Sequence, residues 1–312
     1  MTTQTPRSIG LIGAGLMGSG IAASLLRHGH RLGILEHEGN QPLEPLEAAG
    51  AKRYASLETL TRNSDVIILC VTGTPQIEAI LLGDQGVLSF LKAGTYVIDC
   101  STAIPTSTQR IAGAVEAAGG RFLDAAMTRT PKEAAEGRLN LIVGGAPEDF
   151  NACLSIMQAY AENIVHAGPA GAGHQLKLLH NYVSLGFAAV LAEAAACARR
   201  AGTDPELFCE VLATGGGNGV VLDRMRPYIQ AGEVANFRFS VANAFKDLDY
   251  YCSMAESMGG HHGVADAIRT LYRQATESGL AQAPLPELVA HLSPPVPDTG
   301  QGEAHDRTPT LP

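Results

Sequence analysis

The sequence has no run of Lys and Arg, although its 312 residues include 22 of them. Nucleic acids and anionic membranes demand a basic face, and a chain of net charge −9 does not offer one. Any cation that meets a ligand must therefore act locally. No C-x-x-C pair occurs among Cys70, Cys100, Cys153, Cys197, Cys209 and Cys252, which read as reduced, mostly buried thiols of a cytoplasmic protein. The start, MTTQTPR, carries no signal-type apolar region, so no secretory signal is expected. The most apolar stretch, Leu176 to Ala198, is interrupted by Lys177, His180, Asn181 and Glu193, and reads as a buried helix rather than a membrane span. No internal repeat is visible. Residues 293–312 have almost no apolar side chains but many prolines, and are expected to be a disordered tail.

What remains is an ordinary globular composition, 46% apolar, long enough for two domains. From Ser8 to His166 short apolar runs alternate with helical stretches. Strands are expected at Ile9–Ile12, Arg31–Leu35, Val66–Val71, Tyr96–Asp99, Arg121–Asp124, Leu139–Val143 and Asn163–Val165. Helices are expected at Leu16–His28, Thr74–Leu82, Pro105–Ala118 and Pro147–Tyr160, with Pro105 and Pro147 suited to first-turn positions. Such alternation predicts a doubly wound, mostly parallel α/β sheet over residues 1–167. After the breaker cluster Gly168-Pro-Ala-Gly-Ala-Gly173 no convincing strand follows. An all-α domain is expected over 168–292, beginning with a long helix from His174 to Arg200.

Gly13-Ala-Gly15-Leu16-Met17-Gly18 is a G-x-G-x-x-G motif between an expected strand and an expected helix, the context of a dinucleotide site. Gly13 serves the tight turn, Gly15 the approach to the pyrophosphate, and Gly18 the close packing of helix on strand. The helix N-terminus then presents free N–H groups to the phosphates. Glu36 stands where an acidic residue accepts from the adenosine ribose hydroxyls, which favours NAD. His37 beside it offers an alternative contact to a 2′-phosphate, so NADP stays open.

Lys177 and Asn181 are four residues apart and share one helix face. Leu176, Leu178 and Leu179 surround the lysine with apolar groups, and desolvation lowers a lysine pKa toward neutrality. The pair reads equally as a proton donor with an orienting amide or as two residues of a wet helix face. No histidine spacing indicates a metal, and His261-His262 reads as an exposed helix connection.

Taken with two further motifs, the chain resembles the β-hydroxyacid dehydrogenase superfamily over Gly10 to about Ser278. The resemblance rests on the N-terminal GLIGAGLMG, on Asp99-Cys-Ser101-Thr102-Ala-Ile-Pro105, on Gly171-x-Gly173-x-x-x-Lys177-x-x-x-Asn181, and on Lys246-Asp247-Leu248 preceded by Phe239. It implies a Rossmann domain with NAD(P)H as cofactor, no metal, and Lys177 as general acid/base with Asn181 positioning substrate. Ser101 and Lys246 would border the substrate. Leu16, Met17, Thr72, Thr102, Phe239, Lys246 and Asp247 would line the cofactor.

The superfamily's D-A-P-V-S-G-G segment is replaced here by Asp124-Ala-Ala-Met-Thr128-Arg129-Thr130, similar to the G-R-T variant of sulfolactaldehyde reductases. A tetrahedral anion offers three oxygens, and an arginine flanked by hydroxyls supplies the extra donors. Thr128, Arg129 and Thr130 are therefore expected to bind a phosphonate or sulfonate. 2-Oxopropylphosphonate leads, by analogy with the 2-oxoalkylphosphonate reduced in fosfomycin biosynthesis, and sulfolactaldehyde is second. The alternatives are a carboxylate-specific tartronate semialdehyde reductase or 3-hydroxyisobutyrate dehydrogenase, and a non-catalytic dinucleotide sensor. An Arg129–Glu133 pair is the bland alternative for the arginine. The loop Thr214–Gly219 lacks the usual serine and aromatic residue. A homodimer or homotetramer is expected from the apolar long helix.

Overall fold

A computed structural model describes residues 7–234 and 237–293; the expected tail lies almost wholly outside the described residues. Eight strands form one sheet: β1 (Ser8–Ile12), β2 (Arg31–Leu35), β3 (Lys52–Tyr54), β4 (Val66–Leu69), β5 (Tyr96–Asp99), β6 (Arg121–Thr128), β7 (Leu139–Gly144) and β8 (Ala161–Gly168). Their order is β3-β2-β1-β4-β5-β6-β7-β8, and every neighbouring pair is parallel except β6–β7. Strand order reverses between β1 and β4, and a doubly wound sheet binds ligands at the carboxyl ends of the strands beside such a point.

The helices of this region are α1 (Leu16–Arg27), α2 (Glu44–Ala48), α3 (Leu57–Arg62), α4 (Thr74–Leu82), α5 (Pro105–Ala117), α6 (Pro131–Glu136) and α7 (Pro147–Met157). Fully buried β4, reading VIIL, sits at the centre of the sheet. Its side chains feed two apolar clusters: Val66 and Ile68 join Ile9, Leu11, Ile21 and Leu25, while Ile67 and Leu69 join Ile77, Leu81, Val97 and Ile111. Alternate residues of a strand point to opposite faces, which is why a strand covered on both faces reads as one continuous apolar run.

Beyond the sheet lie α8 (Ala172–Arg200), α9 (Pro205–Thr214), α10 (Val220–Ala231), α11 (Val241–Ser257), α12 (Gly263–Ala275) and α13 (Leu288–His291). Contacts gather the chain into two compact units that are not contiguous in sequence. Of the described residues, one holds 7–185 and 245–270, the other 186–234, 237–244 and 271–293. The sheet unit thus includes the first half of α8 and most of α11. Among the described residues α8 alone is long and apolar enough by length and composition to cross a membrane, with half of its most apolar window buried. Inside the sheet unit two of its polar residues, His174 and Asn181, are buried and hydrogen-bonded, as in a core helix.

Five short elements are absent from the sequence expectations: β3, α2, α3, α6 and α13. Strand β3 reads KRY at the sheet edge and has no apolar run to announce it. Strand β6 also runs four residues past the expected end, to Thr128, because its second half pairs antiparallel with β7, Thr128 opposite Asn140.

Candidate active site

The glycine loop follows β1 directly. Gly13 has a φ of +96°, and a Cβ there would lie 2.3 Å from the Cys70 carbonyl oxygen. A Cβ on Gly18 would lie 1.9 Å from the Gly13 carbonyl oxygen, so helix and loop touch backbone to backbone. At Gly15 a Cβ would meet nothing within 4 Å. Gly15 is also the N-cap of α1, with extended backbone and no side-chain cap. Open space in front of uncapped N–H groups is what a pyrophosphate requires, so these residues fit a dinucleotide. Leu16 is exposed and Met17 half-buried at the same helix start.

Asn40, which the sequence reading missed, fixes this loop. Its Oδ1 accepts from the Ala14 N–H at 3.0 Å, and its Nδ2 donates to the Leu35 carbonyl at 2.8 Å. Gln41 N–H also donates to the Ala14 carbonyl at 2.8 Å. The turn after β2 is thereby tied to the glycine loop. Glu36 starts that turn and pairs with Arg53 at 3.2 Å. His37 is exposed, its Nδ1 accepting from Gly39 N–H at 3.0 Å.

The loops after β4 and β5 are knitted together. Ser101 is buried, its hydroxyl accepts from Val71 N–H at 3.0 Å, and its own N–H donates to Asp99 at 2.9 Å. Thr74 accepts from the Ile104 N–H at 2.9 Å. Thr102 is half-buried in the same crossing. Tyr250 of α11 accepts from the Thr74 N–H at 3.1 Å, and Lys246 donates to the Thr72 carbonyl at 2.6 Å. Tyr250 is a second residue the sequence reading missed; only its position four residues after Lys246, one helix turn on, hinted at it.

The start of α8 is anchored on the sheet. Asp124 of β6, fully buried, accepts from the N–H groups of Gly171 and His174, each at 2.8 Å. Gly171 has a φ of +94°, and a Cβ on Gly173 would lie 2.4 Å from the Ile142 carbonyl oxygen. The two glycines of the G-x-G are therefore demanded by close packing. That packing sets the rotation of α8 and the direction of Lys177 and Asn181.

Asn181 is buried and donates to Asp247 of α11 at 2.6 Å, while its Oδ1 is 2.9 Å from His180 Nδ1. Asp247 is buried too, with Lys246 Nζ 3.0 Å from its other oxygen. Burial pulls the Lys177 ammonium down to about 8, the Asp247 carboxylate opposing and the Lys246 charge adding to the fall. An amine with that pKa gives or takes a proton near neutrality. The structure thus brings together Lys177, Asn181, Lys246, Asp247 and the Thr72 backbone, all within the sheet unit. Phe239 belongs to the other unit, where its carbonyl accepts from Leu285 N–H at 2.8 Å.

The Thr128–Thr130 segment is engaged differently. Thr128 accepts from Asn140 Nδ2 at 3.1 Å. Arg129 has a φ of +83°, and among the described residues no other non-glycine has a positive φ. Its guanidinium is bound by the Glu162 carboxylate of β8 and the Arg138 carbonyl. Glu133 is not its partner. That carboxylate accepts from the Thr130 hydroxyl and, at 3.0 Å, from the Thr130 N–H, closing a capping box at the start of α6. The Thr130 hydroxyl bond holds the Glu133 carboxyl below its ordinary range. Elsewhere, Cys252, His262 and Asp266 bring ligand-type atoms within 4.8 Å of one another. His262 is thus more than an exposed connection: its Nδ1 lies 2.7 Å from Asp266, which Arg269 also binds.

Comparison with known proteins covers almost the whole described chain. Residues 8–168 match the NAD binding domain of 6-phosphogluconate dehydrogenase, and residues 171–292 the NAD-binding domain of NADP-dependent 3-hydroxyisobutyrate dehydrogenase. The chain is 32% identical over 220 residues to a 3-hydroxyisobutyrate dehydrogenase of Pseudomonas aeruginosa, covering 70% of this chain and 74% of the relative. It is 28% identical over 273 residues to the 3-sulfolactaldehyde reductase of Escherichia coli, covering 87% and 91%. The solved structure of Psf3 in complex with NADP+ and 2-OPP shares the fold, with a TM-score of 0.80 at 21% identity over 91% of this chain and 100% of that one.

Proposed function

The chain belongs to the β-hydroxyacid dehydrogenase superfamily, NAD(P)-dependent oxidoreductases acting on a CH–OH group, and on that premise we propose that it interconverts a small β-hydroxy acid and its β-oxo form with Lys177 as acid/base. The observation that carries this is the lysine itself, half-buried on the helix face it shares with Asn181 and drawn down to about 8 by loss of water. In reduction Lys177 gives its proton to the carbonyl oxygen as hydride arrives on the carbon. In oxidation it takes the hydroxyl proton. The cofactor supplies or accepts the hydride. Asn181, already spending one N–H on Asp247, keeps a second for the reacting oxygen. Ser101 and Thr128 offer hydroxyls to the acid group.

The acid group is best read as a carboxylate. Arg129 is paired with Glu162 and Thr130 with Glu133, so this segment adds no net positive charge for a phosphonate dianion. A carboxylate asks only for a few donors. The sulfonate reading keeps one support, the likeness to 3-sulfolactaldehyde reductase, and requires the anion to displace a half-exposed Glu162 from Arg129. Arg129→Ala separates the two. On the carboxylate reading, kcat/KM for tartronate semialdehyde or 3-hydroxyisobutyrate changes less than about 5-fold, as for a surface ion pair. A loss of roughly 10- to 100-fold confined to sulfolactaldehyde or 2-oxopropylphosphonate, the size of a charge-assisted bond, would restore the tetrahedral anion.

We also propose a homo-oligomer in a reducing compartment. The six cysteines are free, and Leu176, Val183 and Val190 leave apolar surface exposed on α8. Sedimentation equilibrium at micromolar protein checks the first; a monomer would overturn it.

A further inference from the structure

The connection between α11 and α12 gathers a thiol, an imidazole and a carboxylate that the proposed reaction does not use. Cys252 lies on α11 and is only 2% exposed. His262 ends the connection, its carbonyl accepting from Asp266 N–H in the first turn of α12 at 2.8 Å. Asp266 stands four residues after it, so the two side chains share one face of the helix start. His262 Nδ1 is 2.7 Å from Asp266 Oδ2, and the Cys252 thiol is hydrogen-bonded to the Asp266 carboxylate. The three ligand-type atoms lie within 4.8 Å of one another. All three residues belong to the sheet unit.

One sulfur, one nitrogen and one oxygen at this separation are a donor set for tetrahedral zinc with one position left open. Zinc bound at roughly 2.0–2.3 Å holds neighbouring donor atoms about 3.3–3.8 Å apart. The His262–Asp266 pair then opens by less than about 1 Å and the thiol closes by a similar amount. The side chains of His262 and Asp266 are 30% and 37% exposed, which gives them room to move and lets solvent supply the fourth ligand. Arg269 binds the other Asp266 oxygen at 3.0 Å and Asp249 at 3.2 Å. It orients the carboxylate as the outer partner of a metal ligand does. It does not neutralise the cluster. Asp249 and Asp266 set two negative charges against its one, and the Cys252 thiolate adds a third. The N-terminus of α12 offers only about half a positive charge in return. The surplus is negative and suits a divalent cation.

We propose that Cys252, His262 and Asp266 form a zinc site, with water as the fourth ligand, that fastens α11 to α12. On binding, the thiol proton leaves to the buffer, and the imidazole carries its proton on Nε2, which frees Nδ1 for the metal. No step of the proposed reaction passes through this ion. It steadies the helix that also carries Lys246 and Asp247, and so acts on the site through the fold alone.

The test is titration of the full chain, stripped of metal and kept reduced by a non-thiol reductant, first with cobalt(II) and then with zinc. It needs neither substrate nor cofactor, so its outcome is independent of the proposed activity. The wild-type protein is expected to bind a single cobalt ion with a thiolate-to-metal charge-transfer band and the intense visible bands of tetrahedral cobalt, and zinc to abolish both. Cys252→Ser is expected to lose the charge-transfer band. His262→Gln and Asp266→Asn are each expected to bind at least about 10-fold more weakly, since a ligand matters no less than its outer partner. Cys197→Ser, which changes the exposed thiol of α8, is expected to keep both band and affinity. Zinc should also raise the melting temperature of the wild-type protein more than that of His262→Gln. Where Cys252→Ser does not fold, the partly exposed His262 and Asp266 carry the test. A wild-type protein without the charge-transfer band overturns the proposal. So does a band that survives in Cys252→Ser, or an affinity and a melting shift that His262→Gln and Asp266→Asn leave unchanged.

Discussion

The proton-carrying role proposed for Lys177 rests on two neighbours of opposite charge and on the loss of water. Burial lowers its pKa most, Asp247 resists, and Lys246 adds repulsion. The signs fix the pH dependence. Reduction needs the ammonium, so its rate is level below a pH of about 8 and falls above it. Oxidation needs the neutral amine and rises through the same value. Asp247→Asn removes the carboxylate that holds the value up, so both limbs should move to lower pH; initial rates across pH check this, and a shift upward would contradict it. That Lys177 and Asn181 share a face was legible from their four-residue spacing. That Asp247 holds Asn181 was not, because the two lie 66 residues apart and only the fold joins them. The ion pair of Arg129 was hidden for a similar reason. Spacing along the chain offered Glu133 only as the alternative to an anion-binding role, but the arginine takes a left-handed backbone, and β8 brings Glu162 to it from 33 residues away.

Between residue and fold, the glycines divide into those that serve packing and those that leave room. Gly15→Ala places its methyl in open space, so the variant should melt like the wild-type protein yet lose ADP-ribose affinity. Gly18→Ala pushes a methyl against the Gly13 carbonyl. It should lose roughly 2 kcal/mol or more in a denaturant titration, as overpacked sites do. Similar melting of the two variants would contradict the distinction. The elements with strong local signals were readable: β4 from its unbroken apolar run, α5 and α7 from prolines in their first turns. Elements held by neighbours were not. Strand β3 exists because Gly33 to Leu35 pair with it, and α6 because Thr130 and Glu133 cap each other across a helix of six residues. Asn40 left no sequence signal beyond being a polar turn residue, and its two bonds exist only once β1 and β2 lie side by side.

At the scale of the whole molecule, the order of segments along the chain is not the order of packing. Residues 245–270 return from the helical region to join the sheet unit, bringing Lys246, Asp247 and Tyr250 to the first half of α8 and to the loop after β4. The expected division near residue 168 describes where strands stop; it says nothing about which later helix supplies the partners of Lys177. The glycine loop and Lys246 both belong to this unit, so a bound nicotinamide cofactor should stabilise it by mass action. Cofactor at a hundred times its Kd should add about 2.7 kcal/mol to the unfolding free energy. Differential scanning calorimetry with and without NADH measures this, and an unmoved transition would contradict it.

The most direct test of the account is the pH–rate profile of nicotinamide turnover for the wild-type protein and Lys177→Arg, with 3-hydroxyisobutyrate, tartronate semialdehyde, sulfolactaldehyde and 2-oxopropylphosphonate in parallel. The expected result is turnover of at least one of them by the wild-type protein, with a limb at a pH of about 8. Arginine does not lose its proton at that pH, so the limb should vanish and the rate should fall by ~10²–10⁴, while ADP-ribose binds the variant as before. A variant that keeps both the rate and the limb would contradict the assignment of Lys177 as the group that moves the proton.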